Sequence, residues 1–271
     1  MKTKNKLTYV ILILSIGILV YPFIWMILTA FKPDTDLYVY PPLFFPRTWY
    51  LGNFSRVFEL IPFGRYYLNS LFVTAIGVVS QVAISIFAAY PLARLRFPLK
   101  NAVFTFVLLT MLMPFVVTMI PTFIIVAKLG WIDSYRGIIV PLLFSGFSII
   151  FLRQFFIAIP KDLEDSAKLD GCGYLRILFH VIIPNTKEGI STITLFSFLT
   201  WWRQYLWPLI VINSTDIRTL PIGLKYLLSD GGKEYNILMA ASVMAIIPVV
   251  VMYMLLEKQF IKSVTFTGIK G

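Results

Sequence analysis

Few side chains in this sequence could do chemistry, and their grouping limits what that chemistry is. Arg203 stands in the stretch WWRQYLW, the one charge in an otherwise uncharged run from Gly189 to Ile212. A guanidinium can hold a carboxylate or phosphate through two parallel hydrogen bonds. It can equally serve structure, paired with carbonyls or with a carboxylate of a neighbouring subunit. Trp201, Trp202, Tyr205 and Trp207 surround it. Such rings stack on sugars or form a belt at a membrane–water boundary, and the belt is expected for at least two of the four. The other group is EDSAKLDG, residues 164–171, where acidic and basic residues crowd together with small ones. Cys172 and His180 are the single cysteine and the single histidine. They allow no internal disulfide and fall short of a zinc ligand set, so both are expected to pack as ordinary residues. The Gly-Gly-Lys of SDGGKEY lacks the first glycine of a phosphate loop, because Leu227 holds that position. The chain is therefore not expected to bind ATP itself.

The elements that carry these groups are apolar. The chain has 271 residues, 58% hydrophobic and 14% charged, against about 25% charged in soluble domains. Long uncharged runs with so few charges indicate an integral membrane protein. The net charge of +11 fits the retention of Lys and Arg on the cytoplasmic side. Nucleic-acid binding would gather these residues on one face with base-reading partners. Here they are spread over the connecting loops, so no nucleic acid is expected.

Six spans are expected, at about 8–31, 66–93, 101–127, 138–152, 189–212 and 237–256. The first run is longer and less cleavage-like than a signal peptide. It is long enough to cross ~30 Å of hydrocarbon at ~1.5 Å per residue. Pro114 and Pro121 should kink the third run. Six spans put both termini on one side, which carries 14 Lys and Arg against 9 on the other. The positive-inside rule makes that side cytoplasmic, together with the polar segment 153–188. The whole chain reads as a single transmembrane domain, all-α, with loops too short for a separate enzyme domain.

Within 153–188, Pro160 can open a helix over Lys161–Leu169. Asp162, Glu164 and Asp165 would lie in its first turns, where negative charge suits the helix dipole. Ala158, Ile159, Leu163, Ala167 and Leu169 offer a modest apolar side. Asp170-Gly171 is a break, with Gly permitting a sharp turn. Asp170 could cap a second helix running to Pro184-Asn185. This is either a solvated connection with local helix or a knob that docks in a partner's groove.

The spacing of DSAKLDG, nine residues, then VIIP resembles the EAA-loop signature of ABC-importer permeases. The matching positions are Asp165, Ser166, Ala167, Gly171, Val181, Ile183 and Pro184. AAYPLARLRFP, FLRQFFIAIPKDLEDSAKLDG, YLWPLIVI, TLPIGL and the stretch from LMAASV to the end are similar to the carbohydrate branch of that family, and to its smaller six-span permeases in particular. The resemblance implies the type I ABC importer permease fold in a bacterial inner membrane. It implies a homologous second permease, two cytoplasmic ATPases that bind ATP and magnesium, and an extracytoplasmic solute-binding protein. This chain would be non-catalytic and would form half of a path worked by alternating access.

The resemblance implies that Glu164, Asp165, Ser166, Ala167, Asp170 and Gly171 form the coupling helix and turn that engage an ATPase. The substrate path would involve Trp202, Arg203, Gln204 and Tyr205. Relatives commonly have Trp-Asn-Asp or Trp-Asn-Glu where this chain has Trp202, Arg203 and Gln204, which suggests an acidic oligosaccharide or a glycerol-phosphate-like solute. An ion-driven secondary transporter is the competing class, but its proton relay needs intramembrane carboxylates or histidine, which the uncharged runs lack. A membrane-embedded enzyme would need a nucleophile with its base, or a metal cluster, and the sequence offers neither.

Overall fold

The computed structural model describes residues 2–229 and 234–266, with side chains at 8–228 and 234–257. The side chains of Lys2, Lys4, Lys6, Lys258 and Lys262, and all of Lys233 and Lys270, which enter the charge comparison, lie outside the described residues. So does most of SDGGKEY. Among the described residues every regular element is a helix. In chain order they are α1 (Lys2–Ala30), α2 (Asp34–Leu37), α3 (Gly52–Leu60), α4 (Phe63–Arg94), α5 (Lys100–Leu112), α6 (Phe115–Lys128) and α7 (Tyr135–Ile139). A 3-10 turn at Val140–Leu142 leads to α8 (Gly146–Ala158), then α9 (Lys161–Leu169) and α10 (Tyr174–Ile177). A π-helical stretch, Leu178–Ile182, joins α10 to α11 (Ile183–Asn185). The chain continues through α12 (Lys187–Trp202), α13 (Leu206–Val211), α14 (Leu220–Ser229) and α15 (Tyr235–Phe266).

Three unbroken helical stretches are long and apolar enough to cross a bilayer: Thr8–Ala30, Phe63–Arg94 and Tyr235–Glu257. Two further candidates are bent pairs, α5 with α6 at 103° and Tyr135–Leu142 with α8 at 46°. The third predicted run is thus two helices rather than one kinked helix. Pro114 cannot donate to the carbonyl one turn earlier, and Met113 before it is forced extended, at φ −81 and ψ 114. Pro121, by contrast, sits inside α6 without ending it.

The predicted run 189–212 is also interrupted, between Trp202 and Leu206. Pro208 explains the position of this break. A continuous helix would need its missing N–H to bond to the carbonyl of Gln204, and its ring would press on that same carbonyl.

The chain divides into two compact units, residues 1–67 with 220–248, and residues 68–219 with 249–271. The first unit is held by a buried polar knot. Asn53 donates to the carbonyls of Ala30 (2.9 Å) and Lys32 (2.8 Å), which satisfies the end of α1. Asn236 donates to the Lys32 carbonyl at 3.0 Å and to Asp34 at 2.8 Å. Arg56 bridges Asp34 and Glu234.

In the second unit, α4, α8 and α12 meet at Gln81. Its amide donates to Ser148 (3.1 Å) and Ser197 (2.9 Å), and its carbonyl oxygen accepts from the Trp201 indole at 2.8 Å. A buried amide that finds three partners costs little, whereas an unmet one would cost several kcal/mol in an apolar medium, on the order of 2–7. Gly77 brings α4 and α12 close, since a Cβ there would fall 2.4 Å from the Trp201 ring. A further cluster packs Val126, Trp207 and Val211 against Phe115, Met119 and Phe123.

Candidate functional site

α9 spans Lys161–Leu169 with Pro160 immediately before it, as its composition predicts. Its C-terminal end is closed by two backbone bonds, from Gly171 N–H to the Lys168 carbonyl and from Cys172 N–H to the Ala167 carbonyl, each 2.9 Å. This paired closure needs a left-handed residue just past the helix. Gly171 supplies it, with φ +76. Asp170 is the residue that ends α9, not the cap of the next helix; Gly173 precedes α10 and makes no side-chain cap bond. The shift follows from the closure itself, which commits Asp170 to a backbone bond with Ser166 at 3.1 Å.

The apolar side read from sequence does not face one way, since Ile159 just before α9 is buried and Ala167 half-buried. Leu163 and Leu169 are exposed, Leu169 at 90%, while Glu164 is buried. Glu164 meets Arg94, at the end of α4, with Oε1 and Nε 2.7 Å apart and both side chains almost fully buried. Neither of these two atoms has a well-aligned hydrogen bond, so Coulomb attraction carries the pairing. Arg94 also donates to the Ile159 carbonyl from a second guanidinium nitrogen. An ion pair therefore fastens α9 to the end of α4 and turns its leucines outward. On the outer surface Lys168 donates to Asp165 at 2.9 Å. That hydrogen bond holds the Asp165 carboxyl below its usual range and raises Lys168 in turn. Ser166 Oγ bonds back to the Asp162 carbonyl at 2.8 Å. Ala167 is half-buried, and Asp170 and Gly171 stand exposed at the tip. The structure thus brings Glu164, Asp165, Ser166, Ala167, Asp170 and Gly171 into one helix and turn.

The residues expected along a solute path are not brought together. A cavity of about 480 Å³ lies among α4, α8, α12 and the break after α12. Gln81, Ser145, Ser148, Ser197, Thr200 and Gln204 give it polar atoms, and Phe115, Phe144, Phe147, Phe196 and Trp201 give it rings. Uncharged hydroxyls and amides beside aromatic faces suit a polyhydroxylated solute. Of the four expected residues only Gln204 lines it. Trp202 is buried and stacked on Phe198, with ring centroids 6.0 Å apart and planes within 7°. Arg203 ends α12 with its side chain exposed and has no partner among the described residues. Tyr205 is half-buried and precedes α13.

The expected aromatic belt is not formed by these tryptophans. Trp201, Trp202 and Trp207 are all buried. Trp201 and Trp207 donate inward, to Gln81 and to the Gly137 carbonyl at 3.0 Å, so their polar edges are satisfied inside the protein.

Sequence reasoning passed over Gln81 and Arg94. Gln81 had a usable signal, since an amide inside an uncharged run must find a partner or line a path. Arg94 gives no such signal, because nothing local links it to Glu164.

Comparison with known proteins agrees with this architecture. Residues 81–263 match the family described as binding-protein-dependent transport system inner membrane component. The chain is 35% identical over 272 residues to the arabinooligosaccharides transport system permease protein AraQ of Bacillus subtilis, covering 99% of this chain and 96% of that protein. It is 30% identical over 265 residues to the sn-glycerol-3-phosphate transport system permease protein UgpE of Escherichia coli O1:K1, with 94% of each covered. Among solved structures it is similar to a chain of a bacterial ABC transporter involved in the import of the acidic polysaccharide alginate. That similarity has a TM-score of 0.86 and 26% identity, with 96% of this chain and 97% of that chain covered. The chain belongs to the binding-protein-dependent transport system inner membrane component family. It is a non-catalytic membrane permease subunit of an ABC transporter, with the type I permease fold.

Proposed function

We propose that this chain forms half of the translocation path of an ATP-driven importer for an oligosaccharide in a bacterial inner membrane. It crosses the bilayer six times with both termini and residues 153–188 in the cytoplasm. A homologous second permease completes the path, an extracytoplasmic binding protein delivers the solute, and two cytoplasmic ATPases bind ATP and magnesium. The ATPase grips the chain at α9 and the Gly171 turn, and closure of the ATPase pair moves the permeases between inward- and outward-facing states.

One observation carries this reading: α9 is fastened from beneath by Arg94–Glu164 while it offers Leu163 and Leu169 to solvent. Exposed leucines on a rigidly held short helix fit a groove in a partner. The test is copurification of tagged permease with its ATPase. Wild type should retain the ATPase, and Leu169→Asp should lose most of it while the permease still inserts and folds. Full retention in Leu169→Asp would overturn the docking assignment.

The relatives named above are a permease for arabinooligosaccharides, one for sn-glycerol-3-phosphate and one from an alginate importer. They support a carbohydrate-type solute for this chain, and the uncharged polar cavity supports contact with sugar hydroxyls. Arg203, exposed and without a partner among the described residues, supports recognition of an acidic group on that solute. Uptake assays separate the two contributions. Arg203→Ala should reduce uptake of an acidic oligosaccharide roughly tenfold or more, as loss of a charged hydrogen bond does, and leave a neutral one unaffected. Equal effects on both would remove the acidic reading and leave the carbohydrate reading standing.

A further inference from the structure

A second cavity, of about 500 Å³, lies between the turn after α4 and α9. Arg94, Arg96, Lys100, Lys161 and Lys168 line it, opposed by Glu164 and Asp165. Both carboxylates are already engaged, Glu164 by Arg94 at 2.7 Å and Asp165 by Lys168 at 2.9 Å. Arg96, Lys100 and Lys161 form no ion pair among the described residues, although Lys161 acts at longer range on Asp165, and Lys100 finds only the Leu95 carbonyl at 2.8 Å. Three cations without an ion pair around one hollow make a site for an anion.

The position of the hollow narrows what the anion is. α4, an apolar stretch long enough to span, ends at Arg94, and α5 begins at Lys100. On the reading of α4 as a membrane span, the hollow sits where the hydrocarbon gives way to headgroups. The turn between them carries Leu99 at 77% exposure, in a left-handed conformation with φ 62. An outward leucine beside free cations matches a lipid, whose acyl chains begin where its phosphate ends. An acidic protein segment would account for the cations but not for the leucine.

We infer that this cavity binds the phosphate of an anionic membrane phospholipid, which Arg96, Lys100 and Lys161 hold while its chains run past Leu99. Guanidinium and ammonium groups are suited to phosphate oxygens, and basic pockets on the cytoplasmic side take such headgroups. The bound lipid lies against α9, so it braces the element through which the permease meets its partner. This rests on the membrane orientation proposed above.

Native mass spectrometry of the purified complete transporter tests it, with phosphatidylglycerol or phosphatidylcholine titrated into detergent. Wild type should retain phosphatidylglycerol more tightly than phosphatidylcholine. Arg96→Gln with Lys100→Gln should weaken phosphatidylglycerol about twenty-five-fold, at roughly fivefold per basic residue, whereas Arg96→Lys should keep it. Inorganic phosphate at millimolar concentration should not displace the lipid. Equal retention of the two lipids by wild type, or unchanged retention in the double variant, overturns the site. Displacement by inorganic phosphate assigns the cavity to a free anion and overturns the lipid. Loss of the ATPase from the double variant with the lipid retained assigns it to a protein contact and overturns it also. ATPase association of wild type, measured on the same preparation, reports the proposed function separately.

Discussion

Arg94 and Glu164 have both been taken out of water, and they pair with each other at 2.7 Å. Removing one partner of a buried pair leaves the other charged and unmatched, a cost of about 3–5 kcal/mol. Glu164→Gln and Arg94→Gln are each expected to lower thermal stability by that order. The double variant should lose less than the sum, and a double-mutant cycle on purified transporter checks this. Asp133 gives a residue-scale test by pH. Its carboxylate accepts from the backbone N–H of Ser214 (2.9 Å) and Asn213 (3.0 Å) and from the Ser214 hydroxyl. The Ser214 backbone bond, ahead of the others, holds this carboxyl below the usual carboxylate range. A carboxyl depressed in the folded state stabilises above its unfolded pKa, and that contribution is lost as pH falls through the folded value. Asp133→Asn should therefore be less stable than wild type at pH 7, with the gap closing below about pH 4, followed by thermal melts across pH. At this scale the sequence shows which residues are charged but not which are buried. Glu164 reads as one more solvated acid of EDSAKLDG until Arg94 comes to it from a distant helix.

Helices and turns were more legible. Pro160, the run Lys161–Leu169 and Gly171 specify α9 and its closure through local rules, and the structure has them at those positions. Gly171 is needed for its backbone alone, because nothing lies within 4 Å of where its Cβ would be. Gly171→Ala should cost about 1 kcal/mol through the left-handed conformation. Gly171→Asn should cost less, while Gly171→Val costs more; the order is read from melting temperatures, and ATPase stimulation should fall in the same order. Gly77 is the opposite case, a close approach rather than a turn. Gly77→Ala must displace the rigid Trp201 ring and should cost about 1–3 kcal/mol, with a change in tryptophan fluorescence as the direct sign. The breaks were only half legible. Prolines mark where α5 gives way to α6 and where α12 stops short of α13, but the size of each bend is set by packing. The 103° turn after Leu112 was therefore beyond local reading, and so was the cavity that the break after α12 borders.

At the scale of the whole chain, apolar surface is what remains unmatched. In the Thr8–Ala30 helix the most apolar window has mean hydropathy 2.6 and no buried residue. Such a face is stable only against lipid or another subunit. Its class was legible from uncharged run length alone, because a bilayer imposes one simple demand on every span. The solute was not legible, because a few hydroxyls and amides scattered over α4, α8 and α12 form a site only when those helices meet.

The central claim is that a partner ATPase works this permease through α9. The direct measurement is ATP hydrolysis by the complete transporter in nanodiscs, with and without solute-loaded binding protein. Loaded binding protein is expected to stimulate hydrolysis severalfold in wild type. Glu164→Gln, with the ATPase still bound, is expected to keep basal hydrolysis and lose most of the stimulation. Full stimulation in Glu164→Gln, or no stimulation in wild type, would contradict the claim.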